Sequence, residues 1–352
     1  MKILFIPHVP NTKVINRVYE FAKNSESCFL YWDIDNSSFF KKILSQLKSL
    51  RFKENEKMIQ IPLLFKPEKF APKFNTYMLN RLIKRLGIEK VVNANALLFN
   101  IEDIEADVYY DMVDDHLELN ADIGLTQPRI EKIKRDVVNS KGVICVTTLV
   151  EQKVKKYNSN TITIENGLYL ERFAKAKSLK VELGLEGKKV FGYIGGVDEW
   201  TGLQKAIESY LKIKDDTNAF IVVGANGSTY YKNLVQKYSE DILFIGSVKP
   251  EHVADYFKTL DIGVIPFERN SFTNNAMPIK ALEYALAGAS VLSTPLSYLK
   301  SKEFSFVKFV NIEQFSGEMQ RVQTQSIAFD FSEYSWKLLS LDVVDFIKKG
   351  SV

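Results

Sequence analysis

Lys280 and Glu283 have the residue types and spacing to act on a charged, hydroxyl-bearing ligand. Three positions apart, they share one face of any helix that carries them. The segment around them, Pro278-Ile-Lys-Ala-Leu-Glu-Tyr-Ala-Leu-Ala-Gly288, reads as such a helix. Pro278 is expected in its first turn and Gly288 at its end, with Ile279, Leu282 and Leu286 facing a sheet. A lysine in a first turn opposes the helix dipole, and a bound phosphate would reverse that penalty. A carboxylate one turn deeper can accept two hydroxyls of a ribose. A solvated Lys–Glu pair, contributing roughly a few tenths of a kcal/mol, has the same spacing. The residues alone leave both readings open.

A second constellation is Val108-Tyr-Tyr-Asp-Met-Val-Asp-Asp-His116, where an apolar strand ends in Asp111, Asp114, Asp115 and His116. Charges at a strand end must be solvated or used, and a carboxylate or imidazole there can take a proton from a hydroxyl. Asp115 is the first candidate, followed by Asp114 and His116. A loop-capping aspartate cluster is the alternative. Two adjacent aspartates can also hold a divalent cation, but this pair lacks a D-x-D setting, and no metal or other cofactor is expected.

These residues need a scaffold of strands. Lys2–Pro7, Cys28–Trp32, Lys90–Ala94, Asp107–Val113, Gly142–Thr147 and Thr161–Glu165 are strand candidates in the first half. Helical spacing appears between them at Val14–Lys23 and Phe39–Leu50. Val190–Gly196, Ala219–Gly224, Ile242–Gly246, Asp261–Pro266 and Val291–Thr294 continue the alternation, which argues for parallel sheets covered on both faces. Gly195 and Gly196 let backbone approach a ligand closely. Asn226, Ser247 and Val248 lie in loops at the same sheet edge. Phe267–Asn275 has no hydrophobic period and is expected to be a loop.

The Pro278–Gly288 segment resembles the nucleotide-sugar motif P-x-K-x-x-E-Y-L-A-x-G of family-four-like bacterial glycosyltransferases with the GT-B fold. The resemblance is to the subgroup that makes capsule, teichuronic acid and similar surface polysaccharides. Ala285-Leu286 reverses the motif's Leu-Ala pair. A family glutamate eight positions before the second one is Asn275 here. Asp111-Met-Val-Asp-Asp115 resembles the subgroup's D-x-x-D-D, and Val197-Asp-Glu-Trp200 its D-E-W segment. Asn166-Gly167 through Phe173 resembles the exit from the first domain. The resemblance implies an α/β fold with two Rossmann-like domains facing across a cleft: residues 1–170 for the acceptor, 171–330 for the nucleotide sugar, and a 331–352 helix returning to the first domain. It implies donor contacts at Gly195, Gly196, Asn226, Ser247, Val248, Asn275, Pro278, Ile279, Lys280 and Glu283. On the acceptor side it implies weaker ones at His8 and Asn11, where relatives have a glycine-rich loop.

The resemblance further implies transfer of a sugar from a UDP-sugar to a hydroxyl of a saccharide or lipid-linked saccharide. A GT-B sugar-nucleotide epimerase and a non-catalytic GT-B subunit are the alternatives. With 352 residues, 46% apolar and 26% charged, the chain is long enough for two globular cores. A net charge of +4 does not argue for nucleic acid. Residues 41–90, however, hold 13 Lys and Arg against 4 Glu, interleaved with aromatic and aliphatic residues. That suits docking on an anionic membrane surface, or equally amphipathic helices with charged outer faces. No apolar run reaches membrane-span length and no signal peptide is evident. Cys28 and Cys145 suggest no disulfide framework. The expected location is the cytoplasm, at the inner face of the membrane if docking occurs.

Overall fold

The structure, a computed structural model, describes residues 1–8, 17–32, 53–55, 57–65, 70–118, 125–225 and 227–350. It divides into two compact units, Met1–Gly167 with Trp336–Val352, and Leu168–Ser335. These limits differ by a few residues from 170 and 330. The Leu168 N–H donates to the Tyr334 carbonyl at 2.6 Å, and Leu168 pairs with Ser335 in a parallel bridge, which ties both ends of the second unit together.

The first unit carries β1 (Ile3–Ile6), β2 (Cys28–Leu30), β3 (Lys53–Asn55), β4 (Met58–Gln60), β5 (Lys90–Asn93), β6 (Asp107–Met112), β7 (Gly142–Cys145) and β8 (Thr161–Thr163). They form one sheet in the order β3-β4-β2-β1-β5-β6-β7-β8. Every neighbouring pair is parallel except the β3–β4 edge. That edge hairpin was not expected, because Lys53-Glu-Asn55 is polar throughout and has no alternation to bury. Its position explains this: an edge strand with charged side chains exposes no apolar face. The central strands β1, β5 and β6 are buried except at Asp107, and apolar except at Lys90, Asn93, Asp107 and Asp111, as suits a sheet covered on both faces.

The Ala71–Leu86 helix buries Leu79, Leu82 and Ile83 and stops at Gly87, whose left-handed φ of 61° suits glycine. The Arg17–Asn24 helix lies within the expected Val14–Lys23 span; residues 14–16, and the expected Phe39–Leu50 helix, lie outside the described residues. The Trp336–Lys349 helix closes the first unit. Its Trp336 ring meets Phe21 edge-on at 5.8 Å, and a Cβ on Gly167 would come within 2.6 Å of that ring.

The second unit holds β9 (Lys189–Ile194), β10 (Asn218–Val223), β11 (Leu243–Gly246), β12 (Ile262–Ile265), β13 (Ser290–Ser293) and β14 (Val307–Phe309). Their order is β11-β10-β9-β12-β13-β14, all parallel. The strand order reverses between β9 and β12. In open α/β sheets a crevice forms outside the carboxyl ends at such a reversal, and ligands bind there. In the first unit the equivalent reversal is between β1 and β5.

Two local expectations are corrected. Phe267–Asn275 is not wholly loop: Ser271–Asn275 is one helical turn, held by a capping box in which Asn270 and Thr273 bond each other's backbone N–H. Reciprocal capping needs no hydrophobic period, so periodicity could not reveal it. Pro278 does not occupy the first turn. The helix runs Lys280–Ala287 with Ile279 as N-cap, and Pro278 only supplies the carbonyl that accepts from the Ala281 N–H at 2.9 Å.

What seats this helix on the sheet is Tyr284. Its ring lies against Gly263 of β12 so closely that a Cβ there would overlap it, and its hydroxyl accepts from the Ile194 N–H of β9 at 3.0 Å. Gly263→Ala is therefore expected to destabilise the second unit by about 1–3 kcal/mol, read as a lower urea midpoint with an unchanged slope.

Candidate functional site

The carboxyl ends of β9 and β12 and the start of the Lys280 helix come together in the second unit. β9 runs into Gly195, which has φ 143°. A side chain there would put its Cβ 2.6 Å from Lys280 Nζ. The Lys280 ammonium lies over two aromatic rings, 4.0 Å from the Tyr193 centroid and 5.0 Å from that of Phe267. Cation–π attraction of this kind holds a lysine in place without neutralising it. Trp200 packs edge-on against Phe267 at 4.9 Å and so fixes the second ring. The Tyr193 hydroxyl donates to the Gly196 carbonyl at 2.7 Å, which ties the first ring to the glycine turn.

Among the described residues no carboxylate lies within ion-pair distance of Lys280. Burial lowers its pKa to about 7, with only partial opposition from Glu283. Burial likewise raises Glu283 to about 7, against the pull of Lys280 and Arg172. A half-buried cation and a half-buried carboxylate on one face, neither in an ion pair, cost free energy while unoccupied. The N-terminus of the eight-residue helix has no side-chain cap, so its leading amides add to the positive field at the same point.

The other residues expected to contact a donor lie on several elements of the second unit. Gly196 follows Gly195 at the end of β9. Ser247 and Val248 follow β11, and the Ser247 hydroxyl donates to the Ala225 carbonyl at 3.2 Å. Pro278 is buried and Ile279 half-buried just ahead of Lys280, while Asn275 ends the short helix before them. Asn226 and Asn11 lie outside the described residues. Lys205, the other lysine in this region, is exposed and paired with Glu268 at 2.7 Å.

In the first unit the acidic cluster separates into three environments. Asp111 is buried and takes a two-point contact from Arg17, at 3.1 Å to each oxygen. Asp115 is buried and paired with Lys153, which also holds Glu118. Asp114 has no hydrogen bond or ion pair to its carboxylate among the described residues. Burial raises its pKa to about 7; Arg17 opposes that rise, while Asp115 and Asp111 add to it. His116 and His8 are both held near 4 by burial, and so are neutral at ordinary pH. His8 Nδ1 is buried without a hydrogen-bond partner among the described residues, and the His8 carbonyl accepts from the Asn95 side chain at 3.0 Å.

Sequence reasoning did not single out Tyr193, Phe267, Arg172, Arg17 or Lys153. Tyr193 looked like an ordinary strand apolar and Phe267 like the start of a loop, and the partners of Arg17 and Lys153 lie 94 and 38 positions away. Among the described residues no helix is long and apolar enough to cross a membrane. The described part of the basic 41–90 region includes the Ala71–Leu86 helix, with Tyr77 60% exposed and Phe70 56% exposed just before it, and Lys73 and Arg81 exposed as well.

The two parallel-sheet units have the GT-B fold, and part of the second unit matches a glycosyltransferase family. Residues 188–317 match the family described as Glycosyl transferases group 1. TuaH of Bacillus subtilis (strain 168), named as a glycosyltransferase of teichuronic acid biosynthesis, is 28% identical over 152 residues, 42% of this chain and 37% of that protein. The match thus spans well under half of that relative's length. Sucrose-phosphate synthase from Thermosynechococcus elongatus shares the fold with a TM-score of 0.77 at 13% identity, over 99% of both chains. HepE of Anabaena, in complex with UDP, shares it with a TM-score of 0.70 at 13% identity, over 99% of this chain and 100% of that one.

The separation of the three aspartates is measurable. By 13C NMR the Asp114 carboxyl is expected to titrate at about 7. Because the Arg17 cation holds it down, Arg17→Gln is expected to move that midpoint to higher pH.

Proposed function

We propose that the chain is a glycosyltransferase that takes a sugar from a nucleotide sugar, with UDP as the leaving group, and attaches it to a hydroxyl. The observation that carries this is Lys280: a cation fixed by two aromatic faces beside a glycine turn and an uncapped helix N-terminus, with no carboxylate in ion-pair range among the described residues. A diphosphate supplies the charge this arrangement lacks. Glu283, one turn deeper on the same face, accepts the ribose hydroxyls. The Glycosyl transferases group 1 match over residues 188–317 and the UDP bound to HepE support the same donor class.

In the reaction the bond between the anomeric carbon and the diphosphate oxygen breaks, and its electron pair leaves with the nucleotide. Lys280 and the glycine-turn backbone offset the developing charge, which is the main electrostatic contribution such a site can make. The acceptor oxygen forms the new bond to carbon and gives its proton to a carboxylate. We assign that proton to Asp114, because Asp115 is committed to Lys153 and Asp111 to Arg17. A carboxyl whose pKa is close to neutral is suited to the task. The acceptor is read as a saccharide or lipid-linked saccharide of a bacterial surface polysaccharide, in line with the name of TuaH. The exposed face of Phe70, Lys73, Tyr77 and Arg81 is read as the side that meets an anionic membrane surface.

A panel of nucleotide sugars in a thermal-unfolding assay tests the donor assignment. A UDP-sugar at about 100 times its Kd is expected to add roughly 2.7 kcal/mol, and Lys280→Ala and Glu283→Ala are expected to lose most of that gain. Stabilisation of the wild type and both variants by the same amount would remove the site, and failure of any nucleotide sugar to stabilise the wild type would remove the function.

A further inference from the structure

Besides Lys280, the second unit places another cation, Arg172, where it acts on Glu283, and its neighbours fix its position. The guanidinium lies over the Tyr169 ring, 3.6 Å from the centroid. Contact of this kind holds the group while leaving its charge available. The next residue, Phe173, packs on Phe257 with 5.6 Å between ring centroids, and Phe257 packs on Tyr284 at 5.1 Å. Just beyond, the Lys177 N–H donates to the Asp255 carboxylate at 2.9 Å and the Leu179 N–H to the Thr259 hydroxyl at 2.8 Å. The short Leu170–Lys175 helix is thereby fastened to the Val253–Thr259 helix, and through Tyr284 to the helix that carries Glu283. Arg172 is half-buried, and among the described residues no carboxylate lies within ion-pair distance of it.

Burial disfavours the charged form of Glu283, while Lys280 and then Arg172 draw it back towards ionisation. Among the described residues these two are the charged groups that act on it. On the Val253–Thr259 helix, Asp255 serves the Lys177 N–H, and Lys258 donates to the Ala287 carbonyl at 3.1 Å, at the far end of the Glu283 helix. β12 and β13 bring no titratable side chain, and Tyr193 of β9 has its hydroxyl bonded to Gly196. In the donor reading a diphosphate takes up the charge of Lys280. Its own negative charge then disfavours the Glu283 carboxylate, which must be ionised to accept two ribose hydroxyls freely. Arg172 is the cation left to oppose that. We infer that Arg172 is a positioning residue of the donor site: it holds the Glu283 carboxylate in its charged, accepting form while Lys280 is engaged by the diphosphate. The inference rests on the proposed donor site and extends it to a residue outside the Pro278–Gly288 segment.

Calorimetric titration of the full-length chain with UDP at pH 8 tests this. Arg172→Gln is expected to weaken UDP by roughly three- to tenfold, and Arg172→Lys, which keeps the charge, to recover most of that loss. Should Arg172→Gln fail to fold, Arg172→Met, whose unbranched stem still covers the Tyr169 ring, takes its place. In a Glu283→Gln background the Arg172 change is expected to have no further effect, because the group it acts on is gone. Proton uptake is a readout that a purely structural role would not move. In two buffers of different ionisation enthalpy, Arg172→Gln is expected to take up more protons per UDP than the wild type, as Glu283 protonates on binding. That excess is expected to vanish in the double variant. Losses that add in the double variant, or wild-type proton uptake in Arg172→Gln, would overturn the inference. UDP binding weakened by Glu283→Gln but untouched by Arg172→Gln would end it and leave the donor assignment standing. UDP binding untouched by Glu283→Gln would remove the ribose contact on which it rests.

Discussion

A cation that is packed but not neutralised sets the terms for the second unit. Lys280 is held by the faces of Tyr193 and Phe267 and has no carboxylate in ion-pair range among the described residues. Several surrounding features exist to keep it there. Trp200 backs Phe267, Gly195 leaves room for the ammonium, and the close fit of Tyr284 on Gly263 fixes where the helix begins. A carboxylate close by would be the simpler stabiliser, but under the proposed function it would occupy the charge that the diphosphate uses.

The same logic appears with different chemistry in the first unit. There the ends of β1 and β6 carry buried polar groups, most of them satisfied within the protein. Arg17 pairs with Asp111, and Lys153 pairs with Asp115. Those pairs leave the Asp114 carboxylate, the Tyr110 hydroxyl and the Nδ1 of His8 among the groups without a hydrogen-bond partner among the described residues. Buried polar atoms left unsatisfied are uncommon in stable proteins and need an explanation. Under the proposed function, an acceptor bearing hydroxyls supplies one.

How much of this was legible in the sequence depended on range. Lys280 and Glu283 could be found because a helix repeats every 3.6 residues, and proline and glycine bracket their segment. Strands such as Gly142–Cys145 and Ile262–Ile265 were legible as short apolar runs. Anything decided by distant packing was not. Preferring Asp114 to Asp115 as the proposed proton acceptor required knowing that Lys153, 38 positions on, pairs with Asp115. The rings that hold Lys280 come from the end of β9 and from the residue that follows Pro266 after β12, and no local pattern links the two. The polar β3 edge and the Asn270–Thr273 turn were missed because neither depends on apolar periodicity.

The central claim is that a diphosphate completes the charge at Lys280. Free Lys280 has a pKa near 7, so at pH 8 most molecules carry it neutral, while the bound diphosphate requires the ammonium. UDP binding measured by calorimetry at pH 8, in two buffers of different ionisation enthalpy, therefore reports proton uptake. The account predicts uptake approaching one proton per UDP in the wild type, lost in Lys280→Met, with affinity falling as pH rises above neutrality. Binding with no proton uptake, or uptake that persists in Lys280→Met, would contradict it.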